Sequence, residues 1–168
     1  MKQITSYGER NAGSPIELEL FSFLVGKWQG TARVKLDGGK FAEFRVSWIG
    51  RYILDGTAIA DEFHSLAPDG SPYLGISLRQ YDRKRKTWII EYLNVSNSFL
   101  RRQVNGGFGS VTVDGPSVAV ISGTPDSMSR ERYRVVDHDN FLYRLDASND
   151  GGSNWMEGQI EMTFRRSE

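Results

Sequence analysis

The sequence predicts an all-β protein, an antiparallel up-and-down β-barrel of about nine or ten strands preceded by a short helix. Three observations support this prediction. Apolar and polar residues alternate with period two, turn signals recur at roughly 8–12-residue intervals, and no segment after the first strand has the pattern of a crossover helix. Neighbouring strands should therefore be antiparallel, and a long meander closes into a barrel because closure removes exposed edges.

A short helix is predicted directly before the first strand. Ser14 is placed to cap it, Pro15 suits the first helical position, and Glu17 would complete a capping box. Gly26 is expected to end it in a left-handed conformation. A helix this short is marginal by itself and must pack on the strands. Its apolar residues at helical spacing are Ile16, Leu20, Phe23 and Leu24.

Strands follow to the end of the chain. Residues 27–36, 141–147 and 156–164 alternate cleanly between apolar and polar positions, which is typical of half-buried strands. Glycine, aspartate, asparagine and proline mark the connections between them. Turns are predicted at residues 37–39, 50–51, 68–70, 82–86, 105–107, 114–116, 125–126, 137–140 and 150–152.

The composition narrows the class of protein. The chain has 168 residues, equal numbers of basic and acidic residues, no cysteine and two histidines. Zero net charge argues against a nucleic-acid partner, and the lack of cysteine excludes disulfides and thiolate metal sites. No apolar run is long enough for a membrane span, so a cytoplasmic protein without a membrane partner is expected. We predict a flexible arm at residues 1–13 and one domain at residues 14–168.

One predicted strand face carries mostly small side chains. If it points inward, its small side chains either leave a space or accommodate the large rings of Trp28, Trp48 or Trp88. A barrel with about eight strands has room for side chains or for one small ligand. The residues of this face are Tyr52, Leu54, Gly56, Ala58 and Ala60.

Three blocks of the sequence resemble a known family. They are Gly26-Lys27-Trp28, residues 77–82 followed by Thr87-Trp88, and residues 150–155 leading into Arg165-Arg166. In this order they resemble a bacterial family of lipocalin-like (calycin) domains of unknown function. The resemblance implies a barrel with a cavity, closed at one end by the tryptophan and by an arginine of the last strand. It supplies no catalytic residues.

The candidate ligand-binding residues are those expected on the inner wall. Tyr92, Tyr143 and Gln80 lie on apolar faces and would supply neutral hydrogen-bonding groups to a pocket. Arg79 is expected outside, because Leu74, Ile76 and Leu78 make the opposite face of its strand apolar. The full set is Trp48, Ala58, Ala60, Glu62, His64, Gln80, Tyr92 and Tyr143.

Glu62 and His64 are candidates for proton transfer. They are two residues apart on one strand and so share a face, and an imidazole exchanges protons near neutral pH. Solvation at a strand end is the simpler interpretation. The opposite parity would turn Ile59, Asp61 and Phe63 inward instead.

Other charged groups have simpler interpretations. The faces of Arg132 and Arg134 are not decided by periodicity, and residues 83–86 form a basic run that fits a solvated turn better than a nucleic-acid patch. Haem binding is disfavoured, because His138 lies in an expected turn and His64 near a strand end. We predict no metal and no cofactor.

Three functions therefore stay open. The first is binding of a small hydrophobic or amphipathic molecule inside the barrel. The second is an isomerase, cyclase or lyase that uses Glu62 or His64. The third is a filled barrel that acts through its surface as a homodimer, with Trp155 as an exposed contact.

Overall fold

A computed structural model describes residues 6–67, 69–95, 99–103 and 109–168, with the backbone but not the side chains of 99–103. A 3₁₀ helix spans Ile16–Leu24, and a shorter one spans Asp37–Gly39. Eleven strands follow the first helix within these ranges. They are β1 (Gly26–Lys35), β2 (Phe41–Ile53), β3 (Ala58–Leu66), β4 (Pro72–Asp82), β5 (Thr87–Asn94), β6 (Phe99–Gln103), β7 (Gly109–Asp114), β8 (Ser117–Thr124), β9 (Ser127–Asp137), β10 (Asn140–Ser148) and β11 (Met156–Ser167).

The strands form one antiparallel sheet in which consecutive strands pair with each other, except β6 with β7, and β1 also pairs with β11. The sheet ends at β6 and β7, and β6 contacts β8, which nearly closes the sheet into a barrel. The predicted all-β, up-and-down barrel is confirmed. No helix in the described part of the chain is both long and apolar enough to cross a membrane.

The strand count exceeds the prediction because β5 and β6 are separate strands, and no turn is predicted between them although Ser96, Asn97 and Ser98 are turn-forming residue types. A turn predicted at residues 50–51 is wrong, since β2 continues to Ile53 and turns at residues 54–57. Gly50 is needed for a different reason, namely that a Cβ atom there would collide with the backbone of Leu24. The turn predicted at residues 105–107 lies outside the described residues.

The N-terminal helix buries a three-residue repeat. Leu18, Phe21 and Leu24 are fully buried, and side chains three residues apart eclipse one another in a 3₁₀ helix. The apolar face predicted from helical spacing is therefore wrong in part, since it includes the buried Leu24 but omits Leu18 and Phe21. Ile16, which that face included, is 62% exposed, whereas Leu20 and Phe23 pack against the edge of the core.

Ser14 docks the helix instead of capping it. Its buried hydroxyl donates a hydrogen bond of 2.6 Å to the Gly56 carbonyl in the β2–β3 turn, and no side chain caps the helix. The Asn11 amide donates to the same carbonyl at 3.3 Å, and Gly8 forms a bridge with Tyr52. The described part of the arm thus follows the β2–β3 hairpin.

One end of the barrel is closed around Trp28. Its indole N–H donates a hydrogen bond of 3.2 Å to the carbonyl of Leu24, the last residue of the helix. The Arg166 guanidinium lies 4.1 Å from the Trp28 ring and donates to the Val25 carbonyl at 3.0 Å. Gly26 has a φ of +128° and faces this guanidinium so closely that a Cβ atom would collide with it.

Aromatic rings fill the interior next to this end. Phe21 meets Trp88 edge-on at 4.9 Å between ring centroids, and Trp28 meets Phe141 at 4.8 Å. Phe141 in turn stacks on Phe164 at 4.6 Å. The helix side of the barrel is therefore packed solid, and any space for a ligand lies toward the other end.

A cluster of charged side chains links β9, β10 and β11 on the outer face of the barrel. Arg132 and Arg134 both lie on the outer face, and Arg132 binds the buried Asp146 at 2.5 Å. Burial opposes ionisation of Asp146, but hydrogen bonds from the Gly158 amide and from arginines outweigh it and hold its pKa below the ordinary value. The other arginines that bind Asp146 are Arg130 and Arg144.

We predict that Ser14→Ala destabilises the protein by about 1 kcal/mol, because the buried Gly56 carbonyl loses one of its two hydrogen bonds and keeps that from the Asn11 amide. Urea unfolding followed by tryptophan fluorescence measures this change. Ser22→Ala is the matched control, since the Ser22 hydroxyl bonds a carbonyl in an exposed position, and it should stay within about 0.5 kcal/mol. Equal losses in the two variants would contradict a docking role for Ser14.

Candidate ligand-binding cavity

The pairing of β2 with β3 decides which residues face the interior. Trp48 pairs with Phe63, and Gly50 pairs with Asp61. Since Trp48 belongs to the core, Ile59, Asp61 and Phe63 point inward. The predicted inward face is wrong, because the β2–β3 turn, with two non-glycine residues at positive φ, interrupts the alternation between Tyr52 and Ala58.

Four predicted site residues therefore lie on the outer face of β3. Ala58 and Ala60 are buried there, whereas the side chains of Glu62 and His64 are 37% and 48% exposed. Glu62 binds Arg51 at 3.1 Å, and His64 Nε2 lies 3.7 Å from the Glu62 carboxylate. The structure brings this acid–base pair together, but in solvent and outside the barrel.

The faces of β4 are also opposite to the prediction. Arg79 points inward and is 2% exposed, while Gln80 is exposed on the outside. The apolar residues Leu74, Ile76 and Leu78 share that outer face with Gln80. The inner wall tolerates an arginine here because β3 presents a partner of opposite charge.

That partner is Asp61, and the two start a buried polar chain. The Arg79 guanidinium forms an ion pair with Asp61, which is 1% exposed, and donates to the Tyr133 hydroxyl at 3.2 Å. Tyr133 in turn donates to the Glu131 carboxylate at 2.8 Å. The Phe21 ring lies 5.3 Å from the guanidinium on the helix side. The chain thus runs from the packed half of the interior toward the other end.

A cavity of about 130 Å³ lies at the Glu131 end of this chain. Two polar residues, Ser77 and Glu131, and three aliphatic residues, Leu145, Ile160 and Met162, line it. Aromatic side chains form the rest of the wall. They are Trp48, Phe63, Tyr73, Tyr92, Tyr133 and Tyr143, of which Trp48, Tyr92 and Tyr143 are among the predicted site residues.

The cavity communicates with solvent at the end away from the helix. Leu145 and Ile160 point inward, opposite Glu131 and Val34 in the register, yet they are only half-buried. Tyr73 is half-buried as well. These inward-pointing residues lie at the strand ends away from the helix and still reach solvent, so the barrel is open there. We call Tyr73, Leu145 and Ile160 the rim of the cavity.

Three tyrosine hydroxyls of the cavity, those of Tyr92, Tyr133 and Tyr143, are held in the neutral form. Burial raises the pKa of Tyr92, Tyr133 and Tyr143 far above the ordinary value, and the charge of Glu131 adds to the rise in each case. Tyr92 donates to the Tyr73 hydroxyl at 3.3 Å, with this hydrogen bond contributing to its raised pKa. These three side chains therefore face the cavity as phenols rather than phenolates.

The indole nitrogen of Trp48 is an unused donor. Trp48 is 5% exposed, and its Nε1 finds no hydrogen-bond partner among the described residues. A buried donor without an acceptor costs roughly 1–3 kcal/mol.

Comparison with known proteins supports the fold. No model of a protein family matches the sequence, and no curated protein matches it significantly. The structure is similar to that of Rv2717c from M. tuberculosis, with a TM-score of 0.64 and 15% identity over 92% of this chain and 99% of that one. It is also similar to the S-type phycobiliprotein lyase CPES from Guillardia theta, with a TM-score of 0.61 and 10% identity over 90% and 92% of the two chains. The chain has a lipocalin-like barrel fold. At these identities the similarity concerns the fold alone.

The sequence reasoning missed four polar residues of this site. Tyr73, Ser77, Glu131 and Tyr133 were not among the predicted ligand-binding residues, although Glu131 and Tyr133 share one strand face. The inward position of Arg79 is the signal that would have indicated them, because a buried arginine needs polar partners inside the barrel.

We predict that Asp61→Asn destabilises the protein by about 3–5 kcal/mol, because it leaves the Arg79 charge buried without its counter-ion. Chemical unfolding measures the change. The neighbouring Glu62→Gln is the matched control on the outer face and should cost about 0.5 kcal/mol or less. Replacing both partners, in Asp61→Leu with Arg79→Met, should recover most of the loss, and failure to recover would count against an isolated charge as the cause.

We also predict that stability falls as pH rises above about 10, the ordinary pKa of tyrosine. The unfolded chain then releases phenolic protons that the folded chain retains at its raised pKa values, so ionisation favours unfolding. Each such group contributes a slope of about 1.4 kcal/mol per pH unit. Unfolding measured at several alkaline pH values should give a smaller slope for Tyr143→Phe, and an unchanged slope would contradict the raised pKa of Tyr143.

Proposed function

We propose that the protein binds a small, mostly apolar molecule with at least one polar group inside the barrel. The observation that supports this most is the cavity beside the aromatic core, open at the rim and closed at the opposite end by the helix. Enclosed apolar sites with a few convergent polar groups are typical of small-molecule binding.

The volume limits the size of the ligand. A cavity of about 150 Å³ holds one benzene molecule, and drug-sized ligands occupy roughly 300–1,000 Å³. With about 130 Å³, this site suits a guest of the size of one aromatic ring. Larger molecules would have to extend past the rim into solvent.

The polar groups indicate where the guest makes hydrogen bonds. The Glu131 carboxylate is among the lining residues and offers an acceptor. The hydroxyls of the lining tyrosines serve as donors or acceptors. An amphipathic guest therefore fits this wall better than a pure hydrocarbon does.

The two other functions have weaker support. Proton transfer by Glu62 and His64 lacks an enclosed substrate site, because both side chains lie outside the barrel. Trp155, the proposed dimer contact, is half-buried and its ring lies 4.3 Å from the Arg130 guanidinium. A homodimer and membership of the bacterial lipocalin-like family stay predictions.

We predict that phenol, used as a single-ring probe, binds to the protein and changes its tryptophan fluorescence through Trp48. Ser77→Leu should weaken this binding about tenfold or more, because Ser77 lines the cavity and the larger side chain would fill it. Calorimetry gives the affinities. Ser47→Leu is the matched control, since Ser47 lies on the outer face of β2 next to His64. If phenol does not bind, or if both variants bind it like the parent protein, interior binding is refuted.

A further inference from the structure

We infer that a second copy of this chain docks on the outer face of β3, β4 and β5, so that the protein forms a symmetric dimer through this face. The inference does not depend on the cavity, because it concerns the outside of the barrel. An apolar patch on this face and a pair of opposite charges beside it support the inference.

The outer face of β4 is apolar along most of the strand. Its outward positions before Gln80 are Pro72, Leu74, Ile76 and Leu78. Leu78 is 42% exposed, although its strand is paired on both sides. This apolar run is the reason why the sequence pattern assigns the outer face of β4 to the interior.

The strands on both sides of β4 continue this apolar surface. Ala60 of β3 lies beside Leu78, and Leu93 of β5 lies beside Ile76. We call six residues the outer patch, namely Ala60, Leu74, Ile76, Leu78, Ile89 and Leu93. Contiguous apolar patches on the surface of a protein usually mark contacts with another protein or a membrane.

The other side of the barrel shows that an apolar outer face is not a general property of this sheet. All side chains of β1 that point outward are polar, as are Glu161, Thr163 and Arg165 beside them on β11. On β1 these residues are Lys27, Gln29, Thr31, Arg33 and Lys35. The outer patch is thus a distinct surface, and removing it from water would favour association.

Two opposite charges beside the outer patch suit a symmetric dimer. Arg51 of β2 lies beside Ala60, and Glu62 of β3 lies beside Ile76. Within one chain the guanidinium and the carboxylate are 3.1 Å apart. A symmetric dimer uses the same surface on both copies, so this surface must be complementary to itself. A neighbouring cation and anion meet this condition, and Glu91 at the opposite border already interacts within the chain.

A two-fold axis perpendicular to the strands matches both the apolar and the charged side chains. If the axis lies midway between Ile76 and Leu78, then Ile76 of each copy packs on Leu78 of the other. Arg51 of one copy then lies over Ile49 of the other, directly beside Glu62. The four charges of the two copies therefore alternate in sign. Two sheets pack face to face in this way when their strands are nearly aligned.

The size of this face predicts a weak dimer. The four strands from β2 to β5, with four outward rows each, cover about 19 Å by about 27 Å, or roughly 500 Å² per copy. Stable interfaces bury about 800 Å² per partner, and smaller ones belong to transient complexes. We therefore expect monomer and dimer to coexist at micromolar to millimolar concentrations.

Sedimentation velocity of the full chain, from about 1 μM to about 1 mM, measures this equilibrium. Leu78→Lys should weaken the dimer at least about tenfold, because docking would remove the added charge from water. Leu142→Lys is the matched control, since Leu142 is 37% exposed on the outer face of β10, away from the outer patch. The control should leave the equilibrium unchanged.

An exchange of charges tests the arrangement of the two copies. Arg51→Glu and Glu62→Arg should each weaken the symmetric dimer several-fold, because like charges then meet across the axis. An equimolar mixture of the two variants should form a mixed dimer about as tight as that of the parent protein, since every contact again joins opposite charges. Native mass spectrometry distinguishes the mixed dimer from the two symmetric dimers by mass.

Three results would overturn the inference. The first is a monomer over the whole concentration range, and sedimentation of the protein with phosphatidylcholine vesicles would then identify a membrane as the occupant of the outer patch. The second is an equal effect of Leu78→Lys and Leu142→Lys. The third is a mixture of the two charge variants that forms no mixed dimer. Phenol binding should be the same in all these variants, so the proposed function and this inference succeed or fail separately.

Discussion

The ion pair between Asp61 and Arg79 is the constraint on which the interior of this barrel depends. Removing a charge from water costs several kcal/mol, so two such groups persist inside a protein only in close contact with each other and with further polar partners. The pair sets the inward faces of β3 and β4, and it orients Tyr133 from the opposite wall. The position of Glu131 at the cavity then follows from one more hydrogen bond.

The helix and the ion pair together divide the barrel into two halves with different properties. Leu18, Phe21 and Leu24 are fully buried at one end, where the Phe21 ring meets the ring of Trp88 edge-on. Beyond Tyr133 the wall keeps its aromatic character, and among the described residues the half-buried Tyr73, Leu145 and Ile160 form its rim. The barrel is thus tightly packed at the helix end and accessible at the rim. Such an arrangement allows a guest to bind without rearrangement of the fold.

The sequence predicted the architecture better than the site, for a physical reason. Alternation and turn residues are local, and they located the helix, most hairpins and the aromatic positions Trp48, Tyr92 and Tyr143. Alternation distinguishes two faces of a strand but does not say which is inside when the interior itself is polar. Leu74 and its apolar neighbours outside, and Arg79 inside, reverse the usual rule because of a partner on another strand. The 3₁₀ helix was mistaken for an α-helix because both spacings are present in the same nine residues.

The glycine on β4 beside the cavity has a consequence for how such a site could diversify. A Cβ atom at Gly75 would collide with the ring and hydroxyl of Tyr92, so the missing side chain is what lets this tyrosine lie flat against the wall. Any larger residue at Gly75 would displace the ring and change the shape of the chamber while leaving the backbone untouched. A single codon therefore controls the capacity of the chamber, and related barrels could evolve toward smaller or differently shaped guests through that one position.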